Sequence, residues 1–128
     1  VYIGTAAVAD YSPSKVESSK IKKKGNNEAL VLKMKENQDI LKTVSDMKDR
    51  PYMVGFAAET EDLLKNARKK LEKKKIDLII ANDVSDKSIG FDSEENEVTL
   101  ITNSEEVLLD RSSKKKIAKR IVEFISGN

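Results

Sequence analysis

The chain predicts an α/β fold: a Rossmann-like three-layer sandwich with a mainly parallel sheet and an antiparallel hairpin at its edge. Three observations carry this. Apolar strand candidates alternate with helical segments, those strands run out into polar residues, and two late strands follow each other with no helix between them. The 128 residues suffice for one domain, and 1–128 reads as a single domain without internal repeats. Val1-Tyr2-Ile3-Gly4 begins as a strand already under way, with no initiator Met and no signal-peptide pattern. The fold is therefore expected to be incomplete at its N-terminus, and the chain to be part of something longer.

Residues 1–9 are apolar and small, as a buried strand requires. Residues 10–28 hold Pro13, several Ser, a run of Lys and Gly25-Asn26-Asn27, which predicts a loop. Leu30-Val31-Leu32-Lys33-Met34 is a short strand candidate. Asn37 and Gln38 precede a helix reaching about Lys48, with Asn37 as a candidate N-cap. Its apolar set, Ile40, Leu41, Val44 and Met47, falls on one face of a 3.6-residue period. Arg50-Pro51 ends that helix. A buried strand over 52–58 runs into Glu59-Thr60. A helix over 61–74 turns Leu63, Leu64, Ala67 and Leu71 inward and its lysines outward. A strand over 77–81 ends in Asn82-Asp83, and a glycine-containing loop covers 84–96. Residues 97–102 and 106–109 form a hairpin turning near Asn103-Ser104. Ser112 or Ser113 caps a last helix carrying Ile117, Ile121, Val122 and Phe124.

Composition excludes several chemistries. There is no Cys, hence no disulfide and no thiolate metal site. There is no His, which removes the usual general base, the commonest metal ligand and every Ser-His or Cys-His nucleophile. Catalysis must rest on Lys, Asp, Glu, Asn, backbone amides and a bound cation. Twenty-four basic residues against 22 acidic ones leave a net charge of +2, too balanced for nonspecific nucleic-acid binding. No apolar run approaches the roughly 18 residues of a membrane span.

Polar residues end three of the strand candidates: Asp10, Glu59-Thr60 and Asn82-Asp83. In a parallel sheet such ends share one rim, where ligands bind; the bland alternative is that strand ends are polar because they meet water. Lys20, Lys22, Lys23 and Lys24 make the loop after Asp10 basic, which suits either a solvated loop or a lysine brought over a polyphosphate. Lys70 and Lys74 share a helical face; either they are solvated or they grip an anion or a ring edge. Phe56, within a strand, is a core residue or a base-contacting aromatic. Gly55 before it marks close backbone approach or tight packing. No Walker A and no GxGxxG sequence is present.

Several segments together carry a resemblance: AAVADY at 6–11, KIKK at 20–23, NQDIL at 37–41, GFAAET at 55–60, ANDV at 81–84, GF at 90–91 and N-x-V at 96–98. In order and spacing, across almost the whole chain, they resemble the C-terminal part of phosphopantothenoylcysteine synthetase, the phosphopantothenate–cysteine ligase family. In many bacteria that synthetase is fused behind a flavin-dependent decarboxylase.

The resemblance implies a cytoplasmic, dimeric ligase of coenzyme A biosynthesis. CTP activates the carboxylate of 4′-phosphopantothenate as an acyl-cytidylate, and cysteine then displaces CMP, with Mg2+ accompanying the nucleotide. It implies that Asp10 meets the nucleotide directly or through the metal, and that Lys20 closes over the site as the catalytic lysine. Ala6 and Ala7 bring backbone to the cytidylate. Gln38, Asp39, Ile40 and Leu41 match a CTP-contacting helix start, where many relatives have Pro in place of Gln38. Phe56, Lys70 and Lys74 match further CTP contacts, and Asn82 matches a strand-end residue of unassigned role. No flavin is expected in this part. The strand around 29–34 is a candidate dimer-pairing element. The family's N-terminal half, with its glycine-rich turn and the Asn of the second step, has no counterpart in these residues, so the chain alone is expected not to complete the reaction. The alternative reading is a truncated, non-catalytic CTP-binding or dimerisation fragment; a nucleic-acid binder using the basic loop is the weaker third.

Overall fold

The computed structural model describes residues 1–22, 25, 29–59, 62–83 and 93–127. In chain order these form β1 (Tyr2–Gly4), β2 (Tyr11–Pro13), β3 (Met34–Glu36), α1 (Ile40–Ser45), β4 (Met53–Glu59), α2 (Leu63–Lys74), β5 (Leu78–Asp83), β6 (Glu95–Ile101), β7 (Glu106–Ser113) and α3 (Lys114–Gly127). They fall into two compact units, Val1–Thr5 with Leu41–Asn128, and Ala6–Ile40.

The first unit is built on a five-stranded sheet in the order β1-β4-β5-β6-β7. β1, β4 and β5 are parallel, whereas β6 and β7 run antiparallel at the other edge. Alternation along the strands feeds two cores. Met53, Ala57, Ile79, Ala81 and Ile101 meet Ala67 and Leu71 of α2, with Leu41 and Val44 of α1 packed alongside. Val54, Leu78, Ile80, Val98, Leu100 and Leu109 meet Ile117 and Ile121 of α3. Helices on both faces of a mainly parallel sheet, with an antiparallel hairpin at one edge, make the predicted three-layer Rossmann-like arrangement.

Local chemistry sets the element ends. The Lys116 N–H donates to Ser113 Oγ at 3.4 Å, so Ser113 caps α3 as its sequence position suggests. The hairpin closes through Thr102, whose Oγ1 accepts from the Ser104 and Glu105 N–H groups at 3.3 and 3.1 Å. β6 and β7 are longer than expected, and their register shifts between Asn96 and Val98. After α2, the Ile76 N–H reaches Leu71 O at 3.0 Å and Lys75 takes the left-handed conformation, a Schellman-type stop.

Several expectations are corrected. The first strand covers only Tyr2–Gly4, not 1–9, and Ala6–Ala9 are exposed. Their small side chains offer little apolar area to hold them in a sheet. The segment 10–28 is not wholly loop. β2 lies in it and pairs antiparallel with β3, so the strand expected over 30–34 falls instead at Met34–Glu36. Pro13 is tolerated in β2 because a two-stranded ribbon consists of edges. α1 ends at Ser45 rather than near Lys48; Ser45 Oγ bonds Lys42 O at 2.9 Å, and Met47 is left exposed. Leu64 is exposed rather than inward, one turn before Arg68 on the flank where Arg68 pairs with Glu106 at 2.6 Å. Val122 is exposed as well, while Phe124 and Ile125 take part in the α3 core.

Candidate nucleotide site

The Ala6–Ile40 unit holds the β2–β3 ribbon together with the motif residues Ala6, Ala7, Asp10, Lys20, Gln38, Asp39 and Ile40. Asp10 does not end a strand of the main sheet: it lies six positions past β1, at a bend, exposed. Its carbonyl accepts the Asn37 N–H at 2.8 Å. Asn37 does not cap α1. Its Nδ2 donates to Ala9 O at 2.8 Å and its Oδ1 accepts from Ser12 Oγ at 2.7 Å, so one side chain ties the segment around Asp10 to the end of β3. Further along, the Ser14 N–H and Oγ both bond Lys33 O at 2.9 Å. The Val8 N–H reaches Ala6 O at 3.0 Å, turning the backbone sharply at Ala7. Ala6, Ala7, Lys20, Gln38, Asp39 and Ile40 are all exposed. Lys23 and Lys24 lie outside the described residues.

In the first unit, β4 and β5 end together, with Ala58 beside Asn82 and Glu59 beside Asp83. Phe56 is not a core residue. It shares the α3 face of β4 with fully buried Val54, yet it is 44% exposed, because α3 packs over the β5–β7 half of that face. Ile3, in register with Val54, is equally exposed on β1. Asn82 is part-buried, and its Oδ1 has no hydrogen-bond partner among the described residues. Leu41 is core-facing; a Cβ on Gly4 would lie 2.9 Å from its Cδ2. Lys70 and Lys74 lie on α2, which packs on the opposite sheet face from Phe56 and Asn82. α2 runs antiparallel to β4 and β5, so Lys74, in its last turn, lies toward the end where β5 begins. The structure thus gathers Phe56, Ala58 and Asn82 at one rim and sets Lys70 and Lys74 apart from it. Thr60, Val84 and the Gly90-Phe91 pair lie outside the described residues.

The sequence reading missed one charged clamp. Arg50 Nη2 donates to Asp77 Oδ1 at 2.8 Å, and its Nη1 donates to Asp77 Oδ2. The Met53 N–H adds a bond to Asp77 Oδ2 at 2.7 Å, and the Asp77 N–H returns one to Met53 O at 3.0 Å. The Arg50 guanidinium holds the Asp77 carboxyl below its usual range, and Asp77 in turn pushes Arg50 up. Burial raises the Tyr52 phenol, with Asp77 and Glu105 adding to it. Hydrogen bonds from Lys42 and Lys75 lower Asp46. The available signal was that Arg50 and Asp77 each stand just before a buried strand. Among the described residues no group of three or more acidic side chains could hold a metal by itself, and no helix is long and apolar enough to cross a membrane.

Fold and rim define an α/β protein of Rossmann-like type. The chain belongs to the family described as the DNA/pantothenate metabolism flavoprotein C-terminal domain, whose model matches residues 1–127. It is 44% identical over 126 residues to the coenzyme A biosynthesis bifunctional protein CoaBC of Vibrio vulnificus (strain CMCP6), covering 98% of this chain and 31% of that protein. The same-named protein of Escherichia coli (strain K12) is 41% identical over 127 residues, again across 98% and 31%. Among solved structures, it is similar to the C-terminal domain of CoaBC, with TM-score 0.72 and 35% identity over 96% of this chain and 51% of that one. The DNA/pantothenate metabolism flavoprotein of Streptococcus pneumoniae gives TM-score 0.67 and 29% identity, over 94% and 57%. The chain thus spans about a third of the curated relatives and about half of the solved domain.

Proposed function

We propose that this chain forms part of a CTP-dependent phosphopantothenate–cysteine ligase acting in coenzyme A biosynthesis. The observation that carries the reading is the family match over 1–127, with the motif residues Asp10 and Lys20 both exposed. The relatives named for coenzyme A biosynthesis support it.

In the proposed reaction a carboxylate oxygen of 4′-phosphopantothenate attacks the α-phosphorus of CTP, and pyrophosphate leaves. The amine of cysteine then attacks the acyl carbon of the cytidylate, CMP leaves, and the ammonium proton is lost to solvent or phosphate. The first step brings an anion to a polyanion. Lys20 is the residue proposed to lower that barrier, by placing positive charge where negative charge gathers. Ala6, Ala7, Asp10, Gln38, Asp39, Ile40, Leu41 and Phe56 are proposed nucleotide contacts; Lys70 and Lys74, which α2 holds on the other sheet face from Phe56, are proposed on the resemblance alone. Magnesium ordinarily binds through one or two carboxylates plus substrate phosphates. An exposed Asp10, with no metal-holding group of three acidic side chains among the described residues, fits an ion that arrives with CTP; once bound, it would offset phosphate charge. A leaving pyrophosphate needs no histidine, in keeping with a chain that has none.

The proposal includes a cytoplasmic homodimer, with pairing near the β2–β3 ribbon. Leu30, Val31, Leu32 and Met34 are exposed there, and such apolar surface is costly to leave in water. It also includes a fused or separate flavin-dependent decarboxylase, in line with the word bifunctional in the relatives' names. The test is Lys20→Gln in a complete ligase containing this segment, followed by pyrophosphate and product release. Loss of ligation with retained CTP binding fits the assignment; unchanged ligation removes Lys20 from the reaction.

A further inference from the structure

We propose that Asn82 is a nucleobase-facing amide, kept at a cost to the fold and acting as a base-recognition residue of the nucleotide site; this rests on the nucleotide reading above. Leu78, Ile80 and Asn82 occupy successive positions on the α3 face of β5, the middle strand of the sheet. The first two are fully buried in the apolar core, and the pattern asks for a third apolar residue. Instead the position holds a carboxamide whose Oδ1 is shut off from solvent with no donor among the described residues. A polar atom in that state costs stability, which a fold retains where a ligand completes it. Flipping the amide would leave a donor unpaired there instead.

The surroundings indicate the ligand class. Ala58 stands beside Asn82 in register, and Phe56 lies diagonally across on β4, on the same face and 44% exposed. An open aromatic surface next to a neutral amide suits a flat, neutral ring with an N–H donor on its edge. The base of CTP, with its exocyclic amine, is such a group. Asn82 is itself only part-buried, so its amide is open on one side to a ring laid against Phe56.

Calorimetric titration of a complete ligase containing this segment with CTP, and separately with inorganic tripolyphosphate, each with magnesium, tests this alongside thermal unfolding. Asn82→Leu restores the apolar pattern, and Asn82→Ala removes the amide without added bulk. Both are expected to weaken CTP about tenfold, the loss of roughly one hydrogen bond, and to leave tripolyphosphate unaffected. Asn82→Leu should keep or raise the melting temperature. Unchanged CTP affinity in both variants, or equal weakening of both ligands, overturns the proposal. A lower melting temperature in Asn82→Leu together with unchanged CTP affinity in Asn82→Ala makes the amide structural and also overturns it. Absence of CTP binding by the unsubstituted complete ligase refutes the nucleotide reading itself, before any substitution is compared.

Discussion

Asp77 joins the starts of β4 and β5 with four polar contacts, two from Arg50 and two shared with the Met53 backbone. A part-buried carboxylate in this position does more than an exposed ion pair. Asp77→Ala is expected to destabilise by about 1.5–3 kcal/mol, the scale of charged hydrogen bonds, measured by urea unfolding at neutral pH. Because the folded carboxyl is held below the ordinary 3.8, its contribution is complete above that value and is lost as pH falls through the lower, folded one. The difference between wild type and Asp77→Ala should therefore shrink only in acid below 3.8. A difference that disappears already between pH 5 and 7 would be inconsistent with this assignment. For the role proposed for Lys20, a preorganised charge at a developing anion is typically worth about 10²–10³ in kcat; Lys20→Gln in a complete ligase should show a loss of that order, with CTP affinity largely kept. Asn37 shows where residue-level signals mislead. An Asn before a helix is a cap cue, yet here the same amide finds Ala9 O and Ser12 Oγ, partners 28 and 25 residues away.

The elements of the main sheet were legible because burial on both faces writes itself into sequence. Val54, Leu78, Ile80 and Leu100 give apolar strand runs, while Ala67 with Leu71 and Ile117 with Ile121 give helical spacing. The β2–β3 ribbon was not, because its strands are three residues each and every β3 position is exposed, so no alternation marks it. Its order depends on side-chain bonds instead. Asn37→Ala should speed amide exchange at Ser14 and at position 37, the two ribbon N–H groups that bond Lys33 and Asp10 carbonyls, by about thirtyfold if each of the two lost side-chain bonds is worth about 1 kcal/mol; unchanged exchange would mean the ribbon stands without it. Close packing of α1 on β1 gives a second test. Gly4→Ala puts a methyl 2.9 Å from Leu41 Cδ2, so Leu41 must move. Overpacking of this kind costs about 1–3 kcal/mol, and a melting temperature equal to wild type would show that the contact yields freely.

At the scale of the whole molecule, layer order and sheet direction followed from strand–helix alternation, but the placement of the candidate site residues did not. Phe56 was readable as a strand residue; that α3 leaves it uncovered is a tertiary fact no local pattern records. Lys70 and Lys74 were readable as one helical face, but their distance from the Asn82 rim follows from the direction in which α2 returns between β4 and β5. Family membership covers 1–127, while the chain corresponds to 31% of the curated CoaBC relatives, so ligand recognition is the property of these residues most directly open to test. That test is calorimetric titration of a complete ligase containing this segment with CTP and with ATP in the presence of magnesium. Saturable binding of CTP with weaker binding of ATP is the expected result. Binding of neither nucleotide, or equal binding of both, refutes CTP recognition by these residues.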